Sequence, residues 1–118
     1  MAVFEVESWI VADGKEAEHA EALRRWLSWV KAHRDLFPEW KSVRYFEKLA
    51  AGAEANRHLI MWEYESLAKY EAYKARRKDY TGPYAEYKKN DPYHEGVFLH
   101  STMGLEFWKD VERDLWVE

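Results

Sequence analysis

Residues 3–12 (VFEVESWIVA) alternate as a strand does, with Phe4, Val6, Ser8 and Ile10 on one face and Val3, Glu5, Glu7, Trp9 and Val11 on the other. Asp13-Gly14 ends this strand, and Asp13 with Glu16 three residues on has the spacing of a capping box. Over residues 15–36, Ala17, Ala20, Leu23, Leu27 and Val30 recur at threes and fours, the stripe of a long helix that Trp26, Trp29, His33 and Phe37 widen and Pro38 stops. Residues 41–49 (KSVRYFEKL) and 57–64 (RHLIMWEY) read as strands joined by a hairpin connection over 50–56. Ser66 can cap a helix over 66–78, Thr81-Gly82-Pro83 breaks it, and Pro83 suits the first position of a short helix over 83–89. Residues 97–103 (VFLHSTM) form the last strand. Beyond it, Leu105, Trp108, Val111 and Leu115 are spaced as a helix stripe, with an extended arm as the alternative.

The order β-α-β-β-α-β predicts an α+β, ferredoxin-like fold: a four-stranded antiparallel sheet with the helices on one face. A domain over 1–104 and a C-terminal extension over 105–118, packed on the domain or on a partner, follow from the same pattern. The expected helix-covered core is Phe4, Val6, Ile10, Val43, Tyr45, Ile60, Trp62 and Tyr64. The opposite face then mixes Trp9, Phe46, Met61 and Phe98 with Glu7, Arg44, Glu63 and His100. Such a face is more apolar than a monomer usually leaves bare, and a second copy packed face to face in a twofold dimer covers it.

Composition narrows the chemistry. The 118 residues contain no cysteine, which removes disulfides, thiolate zinc sites, iron–sulfur clusters and a cysteine nucleophile. A net charge of −4 with both signs scattered argues against a nucleic-acid partner. No apolar run is long enough for a membrane span, and the opening MAVFEVESWIV has acids where a leader has bases, so the expectation is a cytoplasmic protein. Gln is absent and Asn is limited to Asn56 and Asn90 among many Glu, Lys and Arg, a pattern expected of a thermostable protein.

The element order, together with MWEYESLAKYEAYKARR and the following DYTGPYAEYKK, resembles the dimeric α+β barrel superfamily. The run Trp62-Glu63-Tyr64-Glu65-Ser66-Leu67-Ala68 is similar to the NIPSNAP family. The resemblance implies a homodimer with a cleft in each subunit. Its members include cofactor-free monooxygenases, haem-binding and haem-degrading enzymes, lactone isomerases and proteins without known activity, so it selects no reaction.

The candidate catalytic set is His100, Arg44, Glu7 and Glu63, which strand parity directs into one shared space. His100 reads as a general base or a haem ligand, or else as a histidine hydrogen-bonded in the interface. Arg44 between two carboxylates reads as a carbonyl- or carboxylate-binding group, or as a cross-strand ion pair. Trp9, Phe46, Met61 and Phe98 are the candidate ligand-binding residues. His19 is expected in solvent, His33 beside the aromatic stripe, His58 at an edge or in the core, and His94 in a loop; none has metal-ligand spacing, and no metal or cofactor is implied. Trp26, Trp29, Tyr70, Tyr73, Tyr84 and Tyr87 either wall an aromatic cleft or pack the core. Three functions stay open. They are a small apolar or aromatic molecule bound or converted (as a cofactor-free monooxygenase, if an enzyme), a structural or ligand-binding dimer without chemistry, and haem binding or degradation.

Overall fold

The computed structural model describes residues 1–50 and 52–118. The elements are β1 (Val3–Val11), α1 (Glu16–Ala32), β2 (Trp40–Glu47), β3 (Arg57–Tyr64), α2 (Leu67–Arg76), α3 (Pro83–Asn90) and β4 (Phe98–Lys109). They form a four-stranded antiparallel sheet in the order β2-β3-β1-β4, with β1 and β3 central. This is the ferredoxin-like arrangement. No helix among the described residues is long and apolar enough to cross a membrane. The 50–56 connection includes residue 51, which lies outside the described residues.

Local chemistry accounts for most element ends. The Ser66 side chain accepts from the Lys69 amide at 3.2 Å and starts α2, while Pro83 occupies the first turn of α3. The Asp13 cap does not form: Lys15 is the cap residue of α1, without a side-chain cap bond, because Gly14 turns the chain at φ 74° between Asp13 and the helix. α1 closes at Ala32 and a short 3₁₀ turn over Arg34–Leu36 leads to Pro38. β4 is longer than expected. It runs to Lys109 because Leu105, Phe107 and Lys109 pair with Glu7, Glu5 and Val3, so residues 105–109 are strand rather than helix and the 104/105 boundary falls inside β4.

Register assigns the two faces. Tyr64, Trp62, Ile60 and His58 of β3 stand opposite Val3, Glu5, Glu7 and Trp9 of β1, so these residues share a face. That face is the helix side: Trp9 and Ile60 are fully buried, and Trp62 and Tyr64 join Trp26, Phe37, Trp40, Tyr73, Tyr84 and Tyr87 in one core. The expected core residues of β3 and β2 (Ile60, Trp62, Tyr64, Val43 and Tyr45) are on this side, but those of β1 are not. Phe4, Val6 and Ile10 lie on the open face. Glu5 and Glu7 take the helix side because tyrosine hydroxyls meet them there, Tyr64 donating to Glu5 at 3.3 Å and Tyr93 donating to Glu7. The buried indoles are likewise satisfied, Trp40 donating to the Tyr64 hydroxyl at 3.0 Å and Trp26 to that of Tyr87 at 3.3 Å.

Across the open face run two cross-strand rows, Arg44–Met61–Val6–Glu106 and Ser42–Glu63–Phe4–Trp108. Phe46, Leu99 and Trp108 on this side are 45%, 42% and 58% exposed.

Candidate functional site

A cavity of about 500 Å³ opens between α1 and the β2–β3 edge. Leu23 and Leu27 of α1 and Val11 supply its apolar wall, and His19, Tyr45 and His58 supply its polar end. Glu16, Arg24, Lys31 and Glu47 surround it with charges of both signs. An apolar wall facing a few convergent polar groups is an arrangement that small-molecule sites use.

Strand register and the first turns of α1 bring the polar end together. His58 stands opposite Trp9 on β1 and Glu47 on β2, and Tyr45 is the next β2 residue on the same face. Trp9 stacks on Phe98 at 4.4 Å and lies nearly parallel to the His58 and Tyr45 rings at 6.4 and 6.5 Å. Its indole N–H donates to Nε2 of His19 at 2.9 Å, which places the proton of neutral His19 on Nδ1. The imidazoles of His19 and His58 meet edge to face at 4.7 Å. Oη of Tyr45 is 2.5 Å from Nδ1 of His58; in the Nε2–H tautomer of His58 the phenol donates.

Burial dominates the electrostatics. It pushes His19 down to about 4, with the neighbouring His58 adding to the effect. His58 is lowered for the same reason, partly offset by Glu47. Tyr45 is raised to about 12 by burial and then by Glu47. At neutral pH the end of the cavity therefore carries two uncharged imidazoles and a phenol. This set exchanges hydrogen bonds with an uncharged polar group, and the charges nearby belong to Glu16, Arg24, Lys31 and Glu47 around it.

The expected catalytic set does not share one space. Arg44 and Glu63 are on the open face, where Ser42 donates to Glu63 at 2.9 Å. Glu7 is on the helix side, bonded to Tyr93. His100 is exposed, 6.4 Å from the Phe98 ring. The physical reason is twofold. β1 shows its acids to the helices, and the β1–β4 register breaks between Ser8 and Ile10, where their partners jump from Gly104 to Leu99. Residues 100–103 thus bulge, Thr102 accepting from the Ile10 amide at 2.9 Å, and parity no longer predicts a face for His100. The candidate ligand-binding residues divide the same way. Trp9 and Phe98 are stacked on the helix side, whereas Phe46 and Met61 are on the open face.

His58 is buried, within the expectation of an edge or core position, but neither it nor His19 was among the expected site residues. His19 is 2% exposed rather than solvated, because α1 lays its first turns over Trp9. The available signal was its place three residues before Ala22 and four before Leu23, both buried on the inward stripe.

No family model matches the chain, and no curated protein sequence does. Solved structures do. A NIPSNAP family protein from Agrobacterium tumefaciens superposes with a TM-score of 0.65 at 12% identity, covering 96% of each chain. A NIPSNAP-like domain protein from Burkholderia xenovorans gives 0.61 at 15% identity, over 95% of this chain and 87% of that one. A dimeric protein of unknown function and ferredoxin-like fold from Bacteroides fragilis gives 0.60 at 11% identity, over 92% and 96%. The chain has the NIPSNAP-like, ferredoxin-like fold. At these identities the likeness is one of fold alone.

A folded state that refuses a proton at His19 loses stability to acid. Between pH 6.5 and about 4 the unfolded chain binds that proton and the folded chain does not, so acidification through this window costs up to about 3 kcal/mol. Raised pKa values at Glu5 and Glu7 act in the opposite sense but are shared by any His19 variant. In His19→Gln the amide oxygen can still accept from Trp9. Urea unfolding at neutral pH and at pH near 4.5 should show a smaller acid loss for His19→Gln than for the parent, and equal losses would contradict the assignment.

Proposed function

We propose that the protein binds a small apolar or aromatic molecule in the cavity between α1 and the β2–β3 edge. The observation that carries this reading is the about 500 Å³ space ending on three uncharged polar rings. A phenol-like ligand matches it, the ring lying against Leu23 and Leu27 and the hydroxyl exchanging hydrogen bonds with His19, His58 or Tyr45. Conversion of the ligand is the second reading, favoured by the 2.5 Å contact of Tyr45 with His58. A phenol and an imidazole so close can relay a proton to or from a bound molecule. One solved structure of the same fold, a proposed antibiotic biosynthesis monooxygenase from Bordetella bronchiseptica (TM-score 0.60, 14% identity, 94% of this chain and 98% of that one), is consistent with such chemistry. The haem reading needs a histidine or tyrosine directed into a roomy pocket; His100 does not line this cavity, and the Nε2 of His19 and the Nδ1 of His58 are already engaged by Trp9 and Tyr45.

1-Naphthol is a suitable probe. Titration calorimetry should find one site per chain, and Ala20→Trp, which fills the cavity from the exposed side of α1, should weaken it at least about tenfold. Equal affinity in parent and variant, or no binding to the parent, would overturn the reading.

The homodimer belongs to the same proposal. The open face presents Phe46, Leu99 and Trp108 around the Met61–Val6 row, and sheet-to-sheet pairing of two copies covers them. Met61→Glu puts a charge into that contact, where its desolvation is costly even with Arg44 directly opposite, and should shift the protein to monomer in light scattering. A monomeric parent at micromolar concentration, or a Met61→Glu variant that stays dimeric, would contradict this.

A further inference from the structure

A second cavity, of about 260 Å³, lies on the helix side below α2 and α3, apart from the His19–His58 site. Its floor is β1, whose Glu5 and Glu7 point to the same side two residues apart. Lys74 and Arg77, from α2 and its C-cap, face them from above. Burial raises the pKa of both acids, and Lys74 acts against it at each, as Arg77 does at Glu5. Yet no ion pair joins Lys74 or Arg77 to either carboxylate among the described residues. Opposite charges are held across a gap.

Two further donors are unspent. Nε1 of Trp62 and Nε of Arg77 are buried without a hydrogen-bond partner, and both side chains line this cavity. Trp62 is 6% exposed, so its N–H has little access to bulk water. A buried donor left unpaired keeps its desolvation cost without the return of a hydrogen bond, which gives the site a demand for an acceptor. Arg77 is fixed for the purpose, its guanidinium 4.6 Å above the Tyr80 ring and 5.3 Å from that of Tyr73. The remaining charges are already matched, Lys88 pairing with Asp91 at 3.1 Å.

We propose that this cavity binds a small zwitterion of the free amino-acid class. The ammonium group lies toward Glu5 and Glu7, and the carboxylate receives the N–H groups of Trp62 and Arg77 beside Lys74. The side chain of the ligand packs against Tyr73, Tyr87 and Leu105. A dipolar ligand answers every group at once. A simple anion leaves the acids facing a like charge, and a simple cation leaves the Trp62 and Arg77 donors unpaired.

The test is calorimetry at neutral pH with glycine, L-alanine, L-leucine and L-phenylalanine. Isocaproate and isoamylamine, which are leucine without its ammonium and without its carboxylate, complete the set. The expectation is that at least one amino acid binds and shifts the Trp62 indole N–H resonance, identified by its loss in Trp62→Phe. Each singly charged analogue should bind at least about tenfold more weakly than leucine, and Glu7→Gln, checked for folding by its melting curve, should weaken the amino acid to a similar extent. Failure of all four amino acids to bind, an analogue as tight as leucine, or an unmoved Trp62 signal overturns the proposal. The two sites are separable: Glu7→Gln should leave 1-naphthol binding intact, and Ala20→Trp should leave amino-acid binding intact.

Discussion

The helix side of this molecule depends on two hydrogen bonds, from Tyr64 to Glu5 and from Tyr93 to Glu7. β1 is a central strand with a neighbour on each side, and one of its faces must lie under the helices. A one-residue change of parity would exchange that face for Phe4, Val6 and Ile10. The observed choice buries Trp9 completely but carries two carboxylates beneath the helices with it. A buried acid without partners costs several kcal/mol, whereas a hydrogen bond to a charged group returns roughly 1.5–3. The tyrosines therefore make the Trp9-inward choice tenable. With Trp9 inward, α1 is held by the bond to His19 and packs beside Phe98.

This parity also divides the chemistry between two cavities. Beyond Trp9 the chain places neutral rings, His19, His58 and Tyr45, where burial suppresses charge. Toward the other end of β1 it places acids and bases that face each other across a gap. The open face has neither character. Its rows set apolar residues in the centre and at Trp108 among Arg44, Ser42, Glu63 and Glu106, the mixed composition of a surface that meets another protein surface.

Element order and most boundaries were legible because they depend on local chemistry. β3 alternates over Arg57–Tyr64 without a break, Ser66 caps where a serine should, and Pro83 opens α3. What was not legible depends on contacts between distant residues. Glu5 and Glu7 read as part of the face away from the helices until Tyr64 and Tyr93 are known to meet them on the other side. His100 reads as an inward residue until the bulge opposite Ser8 and Ile10 removes its parity. His58 and His19 are separated by most of two elements, and only the Trp9–His58 register brings them to 4.7 Å. The candidate site was therefore missed for the same reason that the β1 face was inverted. Reading acids as outward sent Trp9 outward with them.

A double-mutant cycle on Glu7→Ala and Tyr93→Phe tests the claim about β1 most directly. If Tyr93 supports a carboxylate beneath the helices, the two substitutions are coupled by at least about 1 kcal/mol in urea unfolding at neutral pH. If Glu7 instead faces the open side, it has no contact with Tyr93, and the two effects add to within about 0.5 kcal/mol.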